Sequence, residues 1–223
     1  MPGRPSGAAT ERARALRADA RRNHQQLLTA ARDVVLERGP GAPLDEVARR
    51  AGVGIGTLYR RFPDRQALLR AVALEALVAS RRAAEDALAQ ESEGFAALTR
   101  YLRAALSTRV SAVLPMVLDR LGDQDDELRK AREASAELVQ RIVDTAHADG
   151  SLHPQVGFAD IGTLLVRLAR PLPGPVPAEL DDQLAHRQLE LFVAGLRAVS
   201  EQRTPLAGAR LERSHLRALR DDG

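Results

Sequence analysis

The sequence predicts an all-α fold, and three observations carry that prediction. Alanine, leucine, arginine and glutamate, all good helix formers, dominate the 223 residues. Apolar residues recur at spacings of three and four almost throughout. Period-two alternation and β-branched runs, the marks of strands, are absent.

The elements follow in order. Residues 1–19 read as a disordered basic arm. A first helix spans 22–38, with Leu27, Ala31, Val34 and Val35 on one side and Gly39 as its stop. The second is short: Leu44, Val47, Ala48 and Ala51 stand at i, i+3, i+4 and i+7, and Gly52 ends it where a left-handed residue is wanted. A third runs over 54–62. Asp64 is the expected N-cap of a fourth, which continues through Leu68, Leu69, Val72 and Leu77. Longer helices are expected over 95–109, 112–121, 127–147, 158–170 and 179–200. "PLPGPVP" before the last of them cannot be helical and reads as a stiff extended connection. The tail 201–223 reads as loose, although "ARLERSHLRALR" could form one more helix. This gives an arm (1–19), a small helical domain (20–80), a larger one (81–200) and a tail.

Composition narrows the function classes. No apolar run reaches the roughly 18 residues of a membrane span, and the first residues lack a secretory signal's apolar segment, so a cytoplasmic protein without membrane association is expected. The absence of cysteine removes disulfides and thiolate metal sites. Lys130 is the only lysine. Residues 1–65 hold 13 arginines against 7 acids (+6), whereas 66–200 hold 15 bases against 19 acids (−4). A basic front on a mildly acidic body is an electrostatic footprint for a polyanion.

Catalysis finds no support. His24, His147, His153, His186 and His215 show no metal-ligand spacing. "GVGIG" follows a helix rather than a strand, which removes the mechanism of a dinucleotide loop, and neither GxSxG nor GxxxxGK[ST] occurs. Neither enzyme activity nor a cofactor is expected.

Two short helices joined by a tight glycine turn, over 43–62, match a helix-turn-helix, whose second helix lies in the DNA major groove. Turning about 100° per residue, Ile55, Leu58, Tyr59 and Phe62 share one side, expected to hold the helix to its domain. Gly56, Thr57, Arg60 and Arg61 face away. An interior glycine costs about 1 kcal/mol of helix stability, so Gly56 is explained by an approach to a ligand that a Cβ would block. Tyr59, at the edge of the apolar set, can offer its hydroxyl to a phosphate.

"LDEVARRAGVGIGTLYRRFPDRQALLRAV" resembles the helix-turn-helix of the TetR family of bacterial transcriptional regulators. The pattern matches at Ala48, Ala51-Gly52-Val53, Gly56-Thr57-Leu58-Tyr59, Phe62, Arg65 and Leu68, and the resemblance covers about 20–80. It implies a three-helix DNA-binding unit, a larger helical effector domain and a homodimer joined by the last two helices. Ile55, Gly56 and Thr57 become candidates for base edges, and Tyr59, Arg60, Arg61 and Arg65 for phosphates. Arg21 and Arg22, with Pro43, Leu44 and Gly54, complete the DNA-binding set. The sequence departs from the family where Ala42, Pro43 and Gly54 replace hydroxyl residues, so contacts expected there are missing, and Ile55 stands where a lysine is frequent.

The resemblance also turns two apolar stripes into an expected dimer interface: Ile161, Leu165 and Leu168 on one helix, and Leu189, Phe192 and Leu196 on the next, with Gly195 allowing close approach. An effector pocket would draw on Phe95, Tyr101, Met116, His147 and Leu165, with Arg103 as a further polar group. The expected function is a ligand-responsive homodimeric repressor on a pseudo-palindromic operator. A helical interaction protein with a basic arm is the rival reading.

Overall fold

The computed structural model describes residues 7–121, 125–210 and 212–214. Among them the chain forms nine helices: α1 Gly7–Arg38, α2 Leu44–Arg50, α3 Ile55–Arg61, α4 Arg65–Gln90, α5 Gly94–Ser107, α6 Val110–Leu121, α7 Asp126–Ala148, α8 Phe158–Ala169 and α9 Ala178–Gln202. No described residue is in a strand. No helix among the described residues is long and apolar enough to cross a membrane. The chain divides into two compact units, 1–72 and 73–223, so the division falls within α4.

The first helix overturns one expectation. It begins at Gly7, so residues 7–19 continue α1 instead of forming a disordered arm. Their sequence, alternating alanine with arginine and leucine, has high intrinsic helix preference, and α1 supplies a formed helix to extend. Residues 1–6 lie outside the described residues.

In the first unit Leu27, Ala31 and Val34 of α1, Val47 and Ala48 of α2, Leu58 of α3, and Leu68 and Val72 of α4 are all buried. Gly39 ends α1 with φ +83°, and Asp64 accepts the Ala67 N–H at 2.7 Å to cap α4. A salt-bridge clamp ties α1 to α2: both Arg50 terminal nitrogens donate to Glu37, at 2.5 and 2.7 Å, and Glu46 faces Arg38, Arg49 and Arg50.

The second unit is organised around α5, which packs against α7, α8 and α9. Its N-terminus is capped from across the fold: the Gly94 N–H donates to Asp149 (2.6 Å) and the Phe95 N–H to Ser151 (3.0 Å). A Cβ on Gly94 would run into the backbone of Ala146, so α5 and α7 cross at glycine contact distance. Among the described residues beyond α9, three are tied to the second unit instead of being loose: the Leu206 N–H donates to Gln155 (3.0 Å), Arg210 to the Pro154 carbonyl (2.9 Å), and Arg213 pairs with Glu133 (2.5 Å). The remaining tail, including most of the possible last helix, lies outside the described residues.

The expected dimer stripe is also corrected. Ile161, Leu165, Leu189 and Leu196 are buried inside their own chain, with Leu168 and Phe192 half-buried at the margin. An amphipathic helix spends its richest apolar stripe on its own core, and these residues are that stripe. On α9 a second stripe, Leu180, Leu184, Leu191, Gly195 and Ala198, falls within about 60° on the opposite side. Leu180 and Leu191 are 46% and 63% exposed, and a Cβ on Gly195 would meet nothing within 4 Å.

Candidate nucleic-acid interface

The turn between α2 and α3 is built by backbone. Gly52 takes φ +68°, its N–H bonds to the Arg49 carbonyl (3.2 Å), and the Val53 N–H bonds to that of Ala48 (3.0 Å). This paired closure satisfies two terminal carbonyls of α2 and reverses the chain. The Gly54 carbonyl then accepts from Thr57 (2.8 Å) and Leu58 (3.3 Å) to start α3. Leu58 is fully buried and Phe62, the C-cap of α3, is 5% exposed. These two, four residues apart, anchor the helix.

The expected inner set was too wide. Ile55 is 40% exposed and Tyr59 50% exposed, so neither holds α3 to the core. A seven-residue helix has two turns and needs only one anchor in each, which Leu58 and Phe62 supply. Leu44 is corrected as well: its side chain is buried, leaving only its backbone for a ligand, whereas Pro43 is exposed as the N-cap of α2.

What α3 presents outward is Ile55, Gly56, Tyr59, Arg60 and Arg61, with Thr57 half-exposed. An ideal Cβ on Gly54 or Gly56 would meet nothing within 4 Å, and neither glycine has positive φ. No packing contact among the described residues therefore requires glycine at either position. Arg60 folds back along the helix, its Nε donating to the Gly56 carbonyl (3.3 Å) and its Nη2 to the Thr57 hydroxyl (3.0 Å). Arg61 donates through Nε to His24 Nδ1 of α1 at 3.2 Å. The Tyr59 hydroxyl has no hydrogen bond to any described residue.

Arg65 divides its donors. Nη1 bonds the Pro40 carbonyl (3.2 Å) and the Ala42 carbonyl, holding the α1–α2 turn, while Nε and Nη2 have no partner among the described residues. Arg21 and Arg22 are exposed on α1, Arg22 paired with Asp19. The surface thus joins two glycines, on either side of exposed Ile55, to a phenol and several guanidinium groups, the kind of donors that phosphates accept from.

In the second unit Phe95, Tyr101 and Leu165 are buried, and Met116 and His147 half-buried. The Arg197 guanidinium sits 4.4 Å from the centre of the Phe95 ring. The Tyr101 hydroxyl pairs with Ser80 (3.2 Å), which accepts from Ser135 (3.0 Å); burial pushes the phenol's pKa up, and the Ser80 bond opposes that. His147 Nε2 is buried with no hydrogen-bond partner. A groove of ≈ 690 Å³ is lined by residues including Thr99, Arg100, Arg103 and Arg197. Arg103 lines this groove, whereas Phe95, Tyr101, Met116, His147 and Leu165 are not among its lining residues. Among the described residues no group of three or more His, Asp or Glu could hold a metal ion.

Two family models match the chain: "Bacterial regulatory proteins, tetR family" over residues 27–72, and "Transcriptional regulator SbtR-like, C-terminal domain" over 93–198. A TetR transcription regulatory protein from Mycobacterium vanbaalenii is 32% identical, covering 82% of this chain and 99% of that one, with a TM-score of 0.56. The TetR regulator SCO0520 from Streptomyces coelicolor is 28% identical over 78% of this chain and 97% of its own, with a TM-score of 0.54. The TetR-like regulator LfrR from Mycobacterium smegmatis, solved in complex with proflavine, shares the fold at 22% identity, covering 77% and 96%, with a TM-score of 0.57. No curated protein matches by sequence.

Proposed function

The chain belongs to the TetR family of bacterial transcriptional regulators, DNA-binding proteins and not enzymes, and from that premise we propose that it is a homodimeric repressor of a pseudo-palindromic operator, released by a small molecule. The observation that carries the reading is the outward face of α3, where the space beside Gly54 and Gly56 is open and Tyr59, Arg60 and Arg61 offer hydrogen-bond donors. Ile55, Gly56 and Thr57 meet base edges. Tyr59, Arg60, Arg61 and the unspent nitrogens of Arg65 meet phosphates, with Arg21, Arg22, Pro43 and Gly54 at the margin.

The α9 stripe supports self-association. Leu180 and Leu191 are exposed in the single chain with Leu184 half-buried between them, and open Gly195 lets a second helix approach closely. Two-fold symmetry then sets two recognition helices about 34–36 Å apart or a multiple of it, one DNA turn per step. An effector is supported by the unpartnered His147 Nε2, since an unpaired buried acceptor or donor costs about 1–3 kcal/mol that a ligand group would recover. The proflavine complex of LfrR is a precedent for a ligand in this fold. A ligand shifts the dimer only if it binds the released form more tightly. A protein acting on operator DNA works at the nucleoid, in the cytoplasm.

Titration against random and selected duplex DNA at several salt concentrations tests the reading. Affinity is expected to fall steeply with salt, with a selected sequence bound at least 1,000-fold or so tighter than random DNA. Equal binding to all sequences supports the helical interaction protein instead.

A further inference from the structure

The last turn of α3 is held by one side chain of α1. His24 accepts the Arg61 Nε–H at its Nδ1 (3.2 Å), and its ring lies on Phe62 with centroids 5.7 Å apart and planes 25° from parallel. Arginine has donors only, so this contact requires an unprotonated Nδ1 on His24. The histidine therefore does two things: it packs against the residue that ends α3, and it fixes the guanidinium of the residue before it. Arg61 is otherwise exposed, and its Nη1 and Nη2 make no hydrogen bond to any described residue. An arginine free to sample its rotamers loses that freedom on binding, and a partner that has already restricted it lowers the loss.

We propose that His24 is a positioning residue for DNA binding: it orders Arg61 before the duplex arrives, leaving the two terminal nitrogens of the guanidinium to a phosphate. The inference rests on the reading of α3 as the DNA-contacting helix. It adds a residue from α1, 37 positions away in sequence, that touches no DNA itself.

Two replacements separate the two contacts. His24→Phe keeps a ring against Phe62 and removes the acceptor. His24→Asn loses the ring but puts an amide oxygen near the place of Nδ1. With a duplex enriched by the unaltered protein from a random pool as probe, H24F is expected to bind about 10- to 100-fold more weakly, the effect of releasing one rotamer-rich side chain at each of two half-sites. H24N is expected to stay within about twofold of the unaltered protein. The diagnostic reading is a double-mutant cycle: in an Arg61→Gln background, H24F is expected to add no further loss. Thermal unfolding of each variant checks the fold. Should H24F not fold, H24N and R61Q carry the test, since H24N binding as weakly as R61Q would overturn the proposal. A loss from H24F that is equally large without Arg61 would overturn it too. If the unaltered chain retains no duplex at all, both this proposal and the DNA-binding assignment of α3 fall; if it binds and the cycle is additive, only the role of His24 falls.

Discussion

Gly56→Ala is expected to make the free protein more stable and its DNA complex weaker. The residue is second in α3, exposed, without positive φ, and a Cβ there would meet nothing within 4 Å. Alanine therefore gains helix preference without a clash, about 0.5–1 kcal/mol. For a chain of this size that raises the unfolding midpoint by about 1–4 °C. In the complex the same methyl stands between helix backbone and base edges. Overpacking a tight interface costs about 1–3 kcal/mol, and a symmetric dimer incurs it at both half-sites, so the operator complex weakens by about 2–6 kcal/mol. Scanning calorimetry on the free protein and fluorescence anisotropy with a selected duplex, both at one fixed salt concentration, read the two effects. A variant that is more stable and binds as before would show that α3 does not lie in the groove at Gly56. A less stable variant would refute the helix-preference argument itself.

Other consequences reach the rest of the chain. Leu191→Arg is expected to leave unfolding of the single chain nearly unchanged, since Leu191 is 63% exposed, yet, if α9 pairs with its copy through this face as proposed, to weaken self-association about 100-fold or more in sedimentation experiments, because each dimer would lose two leucines from its interface. Gly94→Ala is expected to destabilise by about 1–3 kcal/mol in denaturant titration, because its Cβ would strike the Ala146 backbone. The Arg50 hydrogen bond holds the Glu37 carboxyl below its ordinary pKa, and Arg103 does the same for Glu190. A carboxyl lowered on folding stabilises above the unfolded-chain value of 4.5, and the gain disappears as pH falls below that through the folded value. Both glutamates are about half exposed (47% and 52%), so each contributes under about 1 kcal/mol. Replacing both by glutamine is expected to flatten the acid limb of a stability–pH profile slightly and leave pH 7 stability within about 2 kcal/mol.

The helix boundaries were legible because their signals are local. Gly39 and Gly52 take the left-handed conformations that end α1 and α2, and Asp64 caps α4 through its own side chain. What the sequence hid depends on partners distant along the chain. A helical wheel places Ile55 and Tyr59 with Leu58 and Phe62, but which of them the core reaches depends on how α3 leans, and only Leu58 and Phe62 are buried. The expected dimer residues Ile161, Leu165, Leu189 and Leu196 are core for a related reason: α9 carries two apolar stripes, and periodicity does not say which faces home. Residues 7–19 failed differently. Their charge suggested an arm, while their alanine content made them the natural extension of α1. The bond from Arg61 to His24 had no sequence signal, since neither residue type at that separation implies the other.

The assignment of α3 to the major groove is tested most directly by DNA selection with the unaltered protein and with Ile55→Lys in parallel. If α3 reads bases, the two proteins enrich inverted repeats that differ at the same step in both half-sites. Identical enriched sequences, or sequences without two-fold symmetry, would contradict it.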